Sequence, residues 1–340
     1  MRPTVHDIAA EAGVSLATVD RVLNARSGVR QKTVDKVEAA VQRLGYVRDV
    51  QAANLAKKRI YPLVFVIPEG PNSFMRGLEA EIRSAMQRSS VERTSIQLET
   101  VPPFDAAAVV RVLDAIDPAN VTGVALVATD TADVSAAVDR LTEKGVHIAA
   151  LVSDLPGSRR VHYCGIDNLA AGRTAAGLLG RFCSGRTGKV LVIAGSMKLS
   201  DHMERASGFA TVLKSEFPEL EIVGPVETND EADRVCQVVG DALDADPEII
   251  AIYNLGAGNR GLLEALRRGG HRDRAIVVHE ITETSRQGLA DGLFDAVINQ
   301  DCGHEVRSAI RVLKARSDGL MPISAQERIR IDIFLKDNLP

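Results

Sequence analysis

The amino-acid sequence predicts an α/β protein: an all-α helix-turn-helix head followed by a two-lobed body of parallel sheets. Three observations carry that prediction. Residues 1–46 hold three short stretches with apolar residues at helical spacing, the first two joined by a tight turn at Gly13. From Tyr61 onward, apolar runs alternate with amphipathic helical stretches, the pattern of parallel strands with crossover helices. At VHYCGIDN (161–168) the alternation breaks, which divides the body into two open sheets.

Within the head, Thr4 is placed to cap a first helix, with Asp7 at the capping-box position and Ile8, Ala9 and Ala12 on one face. Gly13 stops it. Ser15 caps a second helix that buries Val19, Val22 and Leu23. A third runs from about Gln31 to Leu44, with Val34, Val37, Ala40, Val41 and Leu44 inward, and ends at Gly45. In such a unit the second helix enters the major groove of DNA by its N-terminal turns. Its exposed candidates are Leu16, Ala17, Asp20 and Arg21. Arg21 can donate two bonds to one guanine edge. The other roles open to it are a phosphate contact or a pair with an acid on a neighbouring helix. Leu16 and Ala17 offer only apolar contact.

In the body, strands are expected at 61–68, 94–101, 123–129 and 146–154, with helices at 74–88, 106–116 and 134–144 between them. After the break come strands 188–195, 219–226, 248–254 and 275–280 and helices 203–216, 230–245 and 260–268. VINQ (297–300), a helix at 306–316 and ERIRIDIFL (327–335) cross back and complete both lobes. The expected division is a head at 1–46, a linker at 47–60 and a body at 61–340. Lobe 1 is expected at about 61–164 and 297–324, and lobe 2 at about 165–296 and 325–340. Ligands of open parallel sheets bind outside the C-terminal ends of the strands, which here means a cleft between lobes.

Composition narrows the class. The chain has 340 residues, 45% hydrophobic and 25% charged, which excludes a disordered chain, a collagen repeat and a disulfide-stapled miniprotein. No apolar run approaches the roughly 18–20 residues of a membrane span. The N-terminus MRPTVHDIAAEAG lacks the apolar core and cleavage site of a signal peptide, so a cytoplasmic location and no membrane partner are expected. Cys164, Cys183, Cys236 and Cys302 form no CxxC pair and are read as small hydrophobes. The net charge of −4 divides into +5 over residues 1–60 and −9 over the rest. A basic head on an acidic body suits a head that meets a polyanion, though a basic helical bundle without a partner has the same charge.

IAAEAGVSLATVDRVLN (8–24), with Val29, Thr33, Val37, Ala40, Leu44, Gly45 and Tyr46 after it, resembles the head of the lactose-repressor (LacI/GalR) family of bacterial transcription regulators. The resemblance implies a homodimer that reads near-palindromic double-stranded operator DNA, as a repressor. It implies that 47–60 forms a short hinge helix on DNA, with Leu55 wedged into the minor groove and Ala52 and Ala56 beside it. The DNA-contacting set is then Thr4, Ser15, Leu16, Ala17, Thr18, Asp20, Arg21, Asn24 and Leu55. Two positions depart from the family: Arg48-Asp49 stands where Pro-Asn is usual, and Asp20 where Ser is usual. Asp20 is expected to accept a bond from cytosine or to restrain Arg21.

PNSF (71–74), GIDN (165–168) with Gly172, ERxxGF (204–209) and the 299–301 region carry a second resemblance, to the periplasmic sugar-binding-protein-like body of the same family. It implies an effector bound between the lobes. By position, Asn72 and Phe74 follow the first strand, Asp130 the third and Asp154 the fourth. Arg205 matches the arginine that grips sugar hydroxyls, and Asn254 the asparagine ending a later strand. Glu280 stands where Asp is usual, Gln300 is on the hinge side, and His202 is a cleft or surface residue. Mixed acids, amides and one Arg suit a sugar or polyol, whose hydroxyls both donate and accept. Each of these residues alone is equally well a cap at a strand–helix turn.

An enzymatic alternative remains in GAGNRG (256–261), which fits GxGxxG, with Glu280 about twenty residues on, as in a nicotinamide-dependent oxidoreductase. Only 79 residues follow Gly261, so no catalytic domain lies behind it, and the loop is expected to be a cleft edge. GRTGK (185–189) lacks the Ser or Thr of a phosphate loop. Asp201, His202 and Glu204 lack a second ligand pair at metal spacing. No catalytic residue, cofactor or metal is therefore expected.

Overall fold

In the computed structural model, residues 3–24, 26–46 and 59–340 are described, and the chain divides into two units between Arg59 and Ile60. The first unit begins where its caps place it. Helix α1 (Val5–Ala12) starts at Thr4 with a full capping box: Thr4 N–H donates to Asp7 Oδ2 at 2.7 Å, and Asp7 N–H to Thr4 Oγ1 at 3.4 Å. Gly13 closes it at φ 64°, a left-handed conformation that a side chain rarely adopts. Helix α2 (Leu16–Leu23) starts at Ser15, whose Oγ accepts Thr18 N–H at 3.2 Å. Helix α3 (Gln31–Leu44) ends at Gly45. Ile8, Ala12, Val19, Val37 and Ala40 form the core, with Leu44 and Tyr46 packed against it. The expected hinge, with Leu55, Ala52 and the Arg48-Asp49 departure, lies outside the described residues.

The body is two parallel sheets covered by helices. The first holds β1 (Tyr61–Pro68), β2 (Thr94–Val101), β3 (Gly123–Leu126), β4 (His147–Leu151) and β5 (His162–Cys164), in the order β2-β1-β3-β4-β5. Along β1, Leu63, Phe65 and Ile67 enter one apolar layer while Val64 and Val66 enter the opposite one. That is the period-two geometry of a strand buried on both faces. The layers are closed by α4 (Ser73–Gln87), α5 (Ser89–Glu92), α6 (Ala106–Ala115) and α7 (Ala132–Glu143).

The second sheet holds β6 (Gly188–Ala194), β7 (Leu220–Glu227), β8 (Ile249–Asn254), β9 (Ala275–His279), β10 (Ala296–Asn299) and β11 (Asp332–Phe334). Their order is β11-β10-β9-β8-β6-β7, and only β11 is antiparallel. Its helices are α8 (Asn168–Phe182), α9 (Ser200–Glu216), α10 (Ala232–Ala245), α11 (Asn259–Gly269) and α12 (Glu283–Ala290). In both sheets the second strand in sequence lies outside the first, which puts a switch point at β1/β3 and at β6/β8.

Four expectations change. Strand β10 pairs with β9 in the second sheet, so 297–299 belongs to lobe 2, and the chain crosses between Asn299 and Cys302. Only then does α13 (Cys302–Ser317) return to lobe 1, where Val306, Ala309, Ile310 and Leu313 join the core under Phe65. The break at 161–168 conceals β5 and the start of α8, because Ala- and Gly-rich α8 gives a weak apolar stripe. Helix α9 starts at Ser200 rather than Met203, which puts Asp201, His202 and Arg205 on one helix. Helix α10 starts two residues later than expected, and Asp230 is a left-handed turn residue at φ 60°.

Helices α8 and α9 touch backbone to backbone. A Cβ at Gly208 would stand 2.1 Å from the carbonyl oxygen of Leu169, and one at Gly172 2.0 Å from that of Arg205. At Gly177, also in α8, nothing lies within 4 Å of the same point. Gly208→Ala is therefore expected to destabilise the protein by about 1–3 kcal/mol. Gly177→Ala is expected to stabilise it by about 0.5–1 kcal/mol. Urea denaturation of the full chain measures both, and equal effects at the two sites would contradict the close crossing.

Candidate functional site

The C-terminal ends of the two sheets face one another, and the turns that follow them enclose a cavity of about 740 Å³. That size suits a small organic ligand. Lobe 1 contributes Asn72, Phe74, Phe104 and Thr129; lobe 2 contributes Asp230, Ala257, His279 and Glu280. Asn72 does two jobs. Its Oδ1 accepts the N–H groups of Phe74 and Met75 at 3.0 and 3.2 Å, which starts α4. Its Nδ2 donates to Asp230 Oδ2 of the other lobe at 3.2 Å, and Asp230 Oδ1 accepts Ala257 N–H at 2.9 Å. Ser200 adds a second tie between lobes: its Oγ lies 3.0 Å from Ser153 Oγ and donates to the Asp154 carbonyl oxygen at 2.8 Å.

Behind Glu280 and His279 lies a buried polar cluster with Arg205 at its centre. Arg205 is 3% exposed. It donates from Nε to Asn168 Oδ1 at 2.8 Å and from Nη1 to the Leu255 carbonyl oxygen at 2.9 Å. Its Nη2 stands 3.9 Å from Glu280 Oε1 and 4.0 Å from Asp201 Oδ2, and donates to no protein group. Gln300 donates from Nε2 to Glu280 Oε1 at 2.8 Å, and Asn254 from Nδ2 to Asn259 Oδ1 at 2.8 Å. The oxygens of both amides are unpartnered by the protein. So are Asp201 Oδ1, His279 Nδ1 and both carboxylate oxygens of the fully buried Glu305. Buried polar atoms are rarely left without partners, and here they gather at one place.

The backbone supports the same place. Glu280 adopts φ 69°, a left-handed conformation that costs a non-glycine residue of order 1 kcal/mol or more and is held by its surroundings. Its N–H donates to the Ile298 carbonyl oxygen at 2.9 Å, and its own carbonyl accepts Ser285 Oγ at 2.7 Å. Burial pushes the Glu280 carboxyl up to about 7, against the pull of Arg205 and the hydrogen bonds from Gln300. Burial, and then the neighbouring Glu280 charge, raises Glu305 well above the carboxylate range. Burial and the Arg205 charge hold His279 well below the usual imidazole range, so it is neutral and shares a 2.8 Å hydrogen bond with the Tyr253 hydroxyl.

Of the effector residues expected from sequence, Asn72, Phe74 and Glu280 line the cavity, and Arg205, Asn254 and Gln300 sit in the cluster behind Glu280. His202 is neither a wall residue nor a surface one; it is buried and bonds the backbone of Ser196 through Nδ1. Asp154 is taken by an ion pair with Arg160 of its own lobe, and Asp130 lies off the cavity wall, where Thr129 takes its place. Sequence reasoning missed Glu305, Asn168, His279, Asp230 and Phe104. In the sequence Glu305 reads as an ordinary acid in the first turn of a helix and gives no signal of its burial.

The glycines of GAGNRG serve packing. A Cβ at Gly261 would stand 1.8 Å from the Ala232 carbonyl oxygen, and one at Gly256 2.8 Å from Gly195 N. The loop follows β8, the third strand of its sheet, whereas a dinucleotide loop follows the first. Ala257 and Gly258 form a cavity edge. Among the described residues, no group of three or more His, Cys, Asp or Glu is placed to hold a metal ion. No helix of the described residues is long and apolar enough to cross a membrane.

In the head, Ser15, Leu16, Ala17, Asp20 and Arg21 are exposed along α2. Thr18 is half-buried, its Oγ1 2.9 Å from Ser15 Oγ. Asp20 does not restrain Arg21. Its carboxylate pairs with Arg26 at 3.3 Å and accepts Asn24 Nδ2 at 2.7 Å. Asn24 is thereby turned toward its own helix, and Arg21 projects without an acid in ion-pair range among the described residues.

Residues 63–320 match the model of the periplasmic binding protein domain, and residues 4–49 that of bacterial regulatory proteins of the lacI family. Catabolite control protein A of Staphylococcus xylosus is 40% identical over 83 residues, 23% of this chain and 25% of that protein. The HTH-type transcriptional regulator pepR1 of Lactobacillus delbrueckii subsp. lactis is 38% identical over 79 residues, 23% of this chain and 24% of that protein. The matches thus span about a quarter of the length of these relatives. Among solved structures, GanP, a glucose-galactose binding protein from Geobacillus stearothermophilus, superposes with a TM-score of 0.71 at 21% identity, over 83% of this chain and 99% of that one. A carbohydrate transporter solute binding protein from Agrobacterium radiobacter, in complex with D-arabinose, gives 0.73 at 16% identity, over 82% of this chain and 95% of that one. These likenesses establish the fold of the body.

The raised carboxyl of Glu280 sets a pH dependence. The folded state holds its proton above the pH at which the unfolded chain has lost it. Its contribution is fully present below the unfolded value of 4.5 and is lost as pH rises through about 7. Glu280→Gln is expected to flatten the fall in stability across that window. Denaturation of both proteins at several pH values checks this, and parallel curves would contradict the assignment.

Proposed function

We propose that this chain, which belongs to the periplasmic binding protein domain family over residues 63–320 and bears a lacI-family domain at 4–49, is a DNA-binding transcriptional repressor. Its affinity for operator DNA is set by a sugar, polyol or sugar derivative bound between the two lobes of the body. The observation that carries this reading is the set of unpartnered buried atoms around Arg205, beneath a cavity at the strand ends of both sheets. A polyhydroxyl ligand supplies both donors and acceptors to such a set. The sugar ligands named for the structural neighbours fit the same class.

Arg21 reads a base edge in this account, and Asp20, which pairs with Arg26 and Asn24 rather than with Arg21, keeps the role of accepting a bond from cytosine. The protein acts in the cytoplasm as a homodimer on a near-palindromic site. Leu55 enters the minor groove at its centre, where a wedge spends unstacking energy to bend the duplex. The effector works by population shift: it favours the lobe arrangement it binds better, and that preference is transmitted to DNA affinity.

Arg21→Ala is expected to cost about 1–3 kcal/mol of discrimination at one base pair of each half-site. Selection from a random duplex pool reads this out, and an unchanged base preference would remove the direct-reading role. Arg205→Lys keeps the buried charge but loses the planar fork. It is expected to lower effector affinity by about a hundredfold, in keeping with loss of charge-assisted hydrogen bonds, while operator binding persists. Undiminished effector affinity, measured by calorimetry, would move the site elsewhere.

A further inference from the structure

We propose that the ligand of this cleft is a cation, an amine-bearing sugar or polyol, in preference to a neutral or anionic one; the proposal rests on the reading of the cleft as an effector site. The first argument is the sense of the unpartnered hydrogen bonds. Both buried amides are turned with their NH₂ groups on acceptors: Asn254 on the Ala257 carbonyl oxygen and Asn259 Oδ1, Gln300 on Glu280 Oε1. Their oxygens are therefore the free ends. With Asp201 Oδ1 and one oxygen of the protonated Glu305, the cluster presents four unpartnered acceptors against two donors, Arg205 Nη2 and the Glu305 O–H; once Glu305 ionises, the acceptors number five and Arg205 Nη2 is the one donor among them. The remaining unpartnered atom, His279 Nδ1, takes either role. A ligand that completes this set is chiefly a donor. Hydroxyls donate once each, whereas an ammonium donates three times and accepts nothing.

The second argument is charge. Asp201 and Glu280 flank the single guanidinium of Arg205, Glu305 of α13 acts on it electrostatically, and all four side chains are nine-tenths buried or more. The cavity wall repeats the imbalance, with acids at Glu69, Asp105, Asp230, Glu231, Glu280 and Glu283 against Arg76 and Arg260. A low-dielectric cleft of one sign attracts the opposite charge and repels its own, which disfavours sugar phosphates and sugar acids. A bare metal ion is not the alternative, because no three described carboxylates or imidazoles are placed to ligate one.

The third argument is protonation. The groups acting on Glu280 are Asp201 and Arg205 from α9, Gln300 from the crossover and Glu305 from α13. Burial and the crowding of like charges raise the proton affinity of Glu280 and Glu305. An ammonium placed among them lets them ionise, so protons leave as the ligand binds and affinity rises with pH.

Isothermal titration of the full chain tests this, with D-glucosamine, D-galactosamine, D-mannosamine and 1-amino-1-deoxysorbitol set against D-glucose, D-galactose, D-mannose and sorbitol. At least one amine is expected to bind about tenfold or more tightly than its neutral parent, the scale of a close charge pair. Its affinity is expected to rise between about pH 5.5 and about pH 7, with proton release read from buffers of different ionisation enthalpy. Glu305→Gln is expected to narrow the gap between amine and parent with an unchanged circular-dichroism spectrum. Asp201→Asn serves the same purpose if the first variant does not fold. A neutral parent binding as tightly as its amine, or more tightly, overturns the cationic assignment and leaves the effector reading intact. Binding of none of these compounds, amine or neutral, overturns both.

Discussion

A buried guanidinium governs the architecture of the body. An isolated charge in an apolar interior is far too costly to persist, so Arg205 dictates what must surround it. Asn168 at the start of α8 accepts from it, the carbonyl at the end of β8 accepts from it, and carboxylates from α9 and from the turn after β9 flank it. Those groups come from four separate segments of one lobe. Gly172 and Gly208 let α8 and α9 approach until backbone meets backbone, which brings Asn168 within reach of Arg205. The left-handed turn at Glu280 aims its carboxylate at the same point. Lobe 1 joins through α13, which follows the crossover at Gln300 and buries Glu305.

The cluster is satisfied on one side only. Arg205 Nε and Nη1, the amide NH₂ groups and the backbone of Glu280 are bonded, and they fix the geometry. The remaining buried atoms have no partner within the chain. That division is what a pre-organised binding site requires: the side chains are already held, so a ligand does not bear the cost of ordering them. The ties between the lobes, Asn72 to Asp230 at the cavity wall and Ser200 to Ser153 in the interior, are neutral or singly charged hydrogen bonds. Such bonds are worth about 1 kcal/mol each, which leaves lobe motion within reach of a ligand's binding energy.

Much of this was legible in the sequence. Helix starts in the head followed from Thr4 and Ser15, because a cap is a local contact between residues three apart. Strands β1, β6, β8 and β9 were legible as continuous apolar runs, and Arg205, Asn254, Glu280 and Gln300 from resemblance. What escaped was non-local. Helix α8 has a stripe of Ala and Gly, chosen for close approach to α9, and carries little periodic signal. Strand β10 joins lobe 2 rather than the expected lobe 1, because three apolar residues and an Asn do not say which sheet they join. Asp154 and Asp20 pair with arginines six residues away, on turns whose geometry the sequence does not specify. Glu305 looked like an ordinary acid in the first turn of a helix. Its burial is set by the packing of α13 against β3, β4 and β5.

The central claim is that the cleft of the body and the reading face of the head report on one equilibrium. Thermodynamic linkage offers the most direct test. With the full chain, a duplex selected from a random pool and the sugar or amino sugar that binds most tightly, two titrations are compared. Duplex affinity is measured with and without saturating ligand, and ligand affinity with and without saturating duplex. The account predicts that both change by the same factor, several-fold or more, as reciprocity demands of coupled sites. Ligand affinity that is identical with and without bound duplex would show that head and body act independently, and would contradict the account.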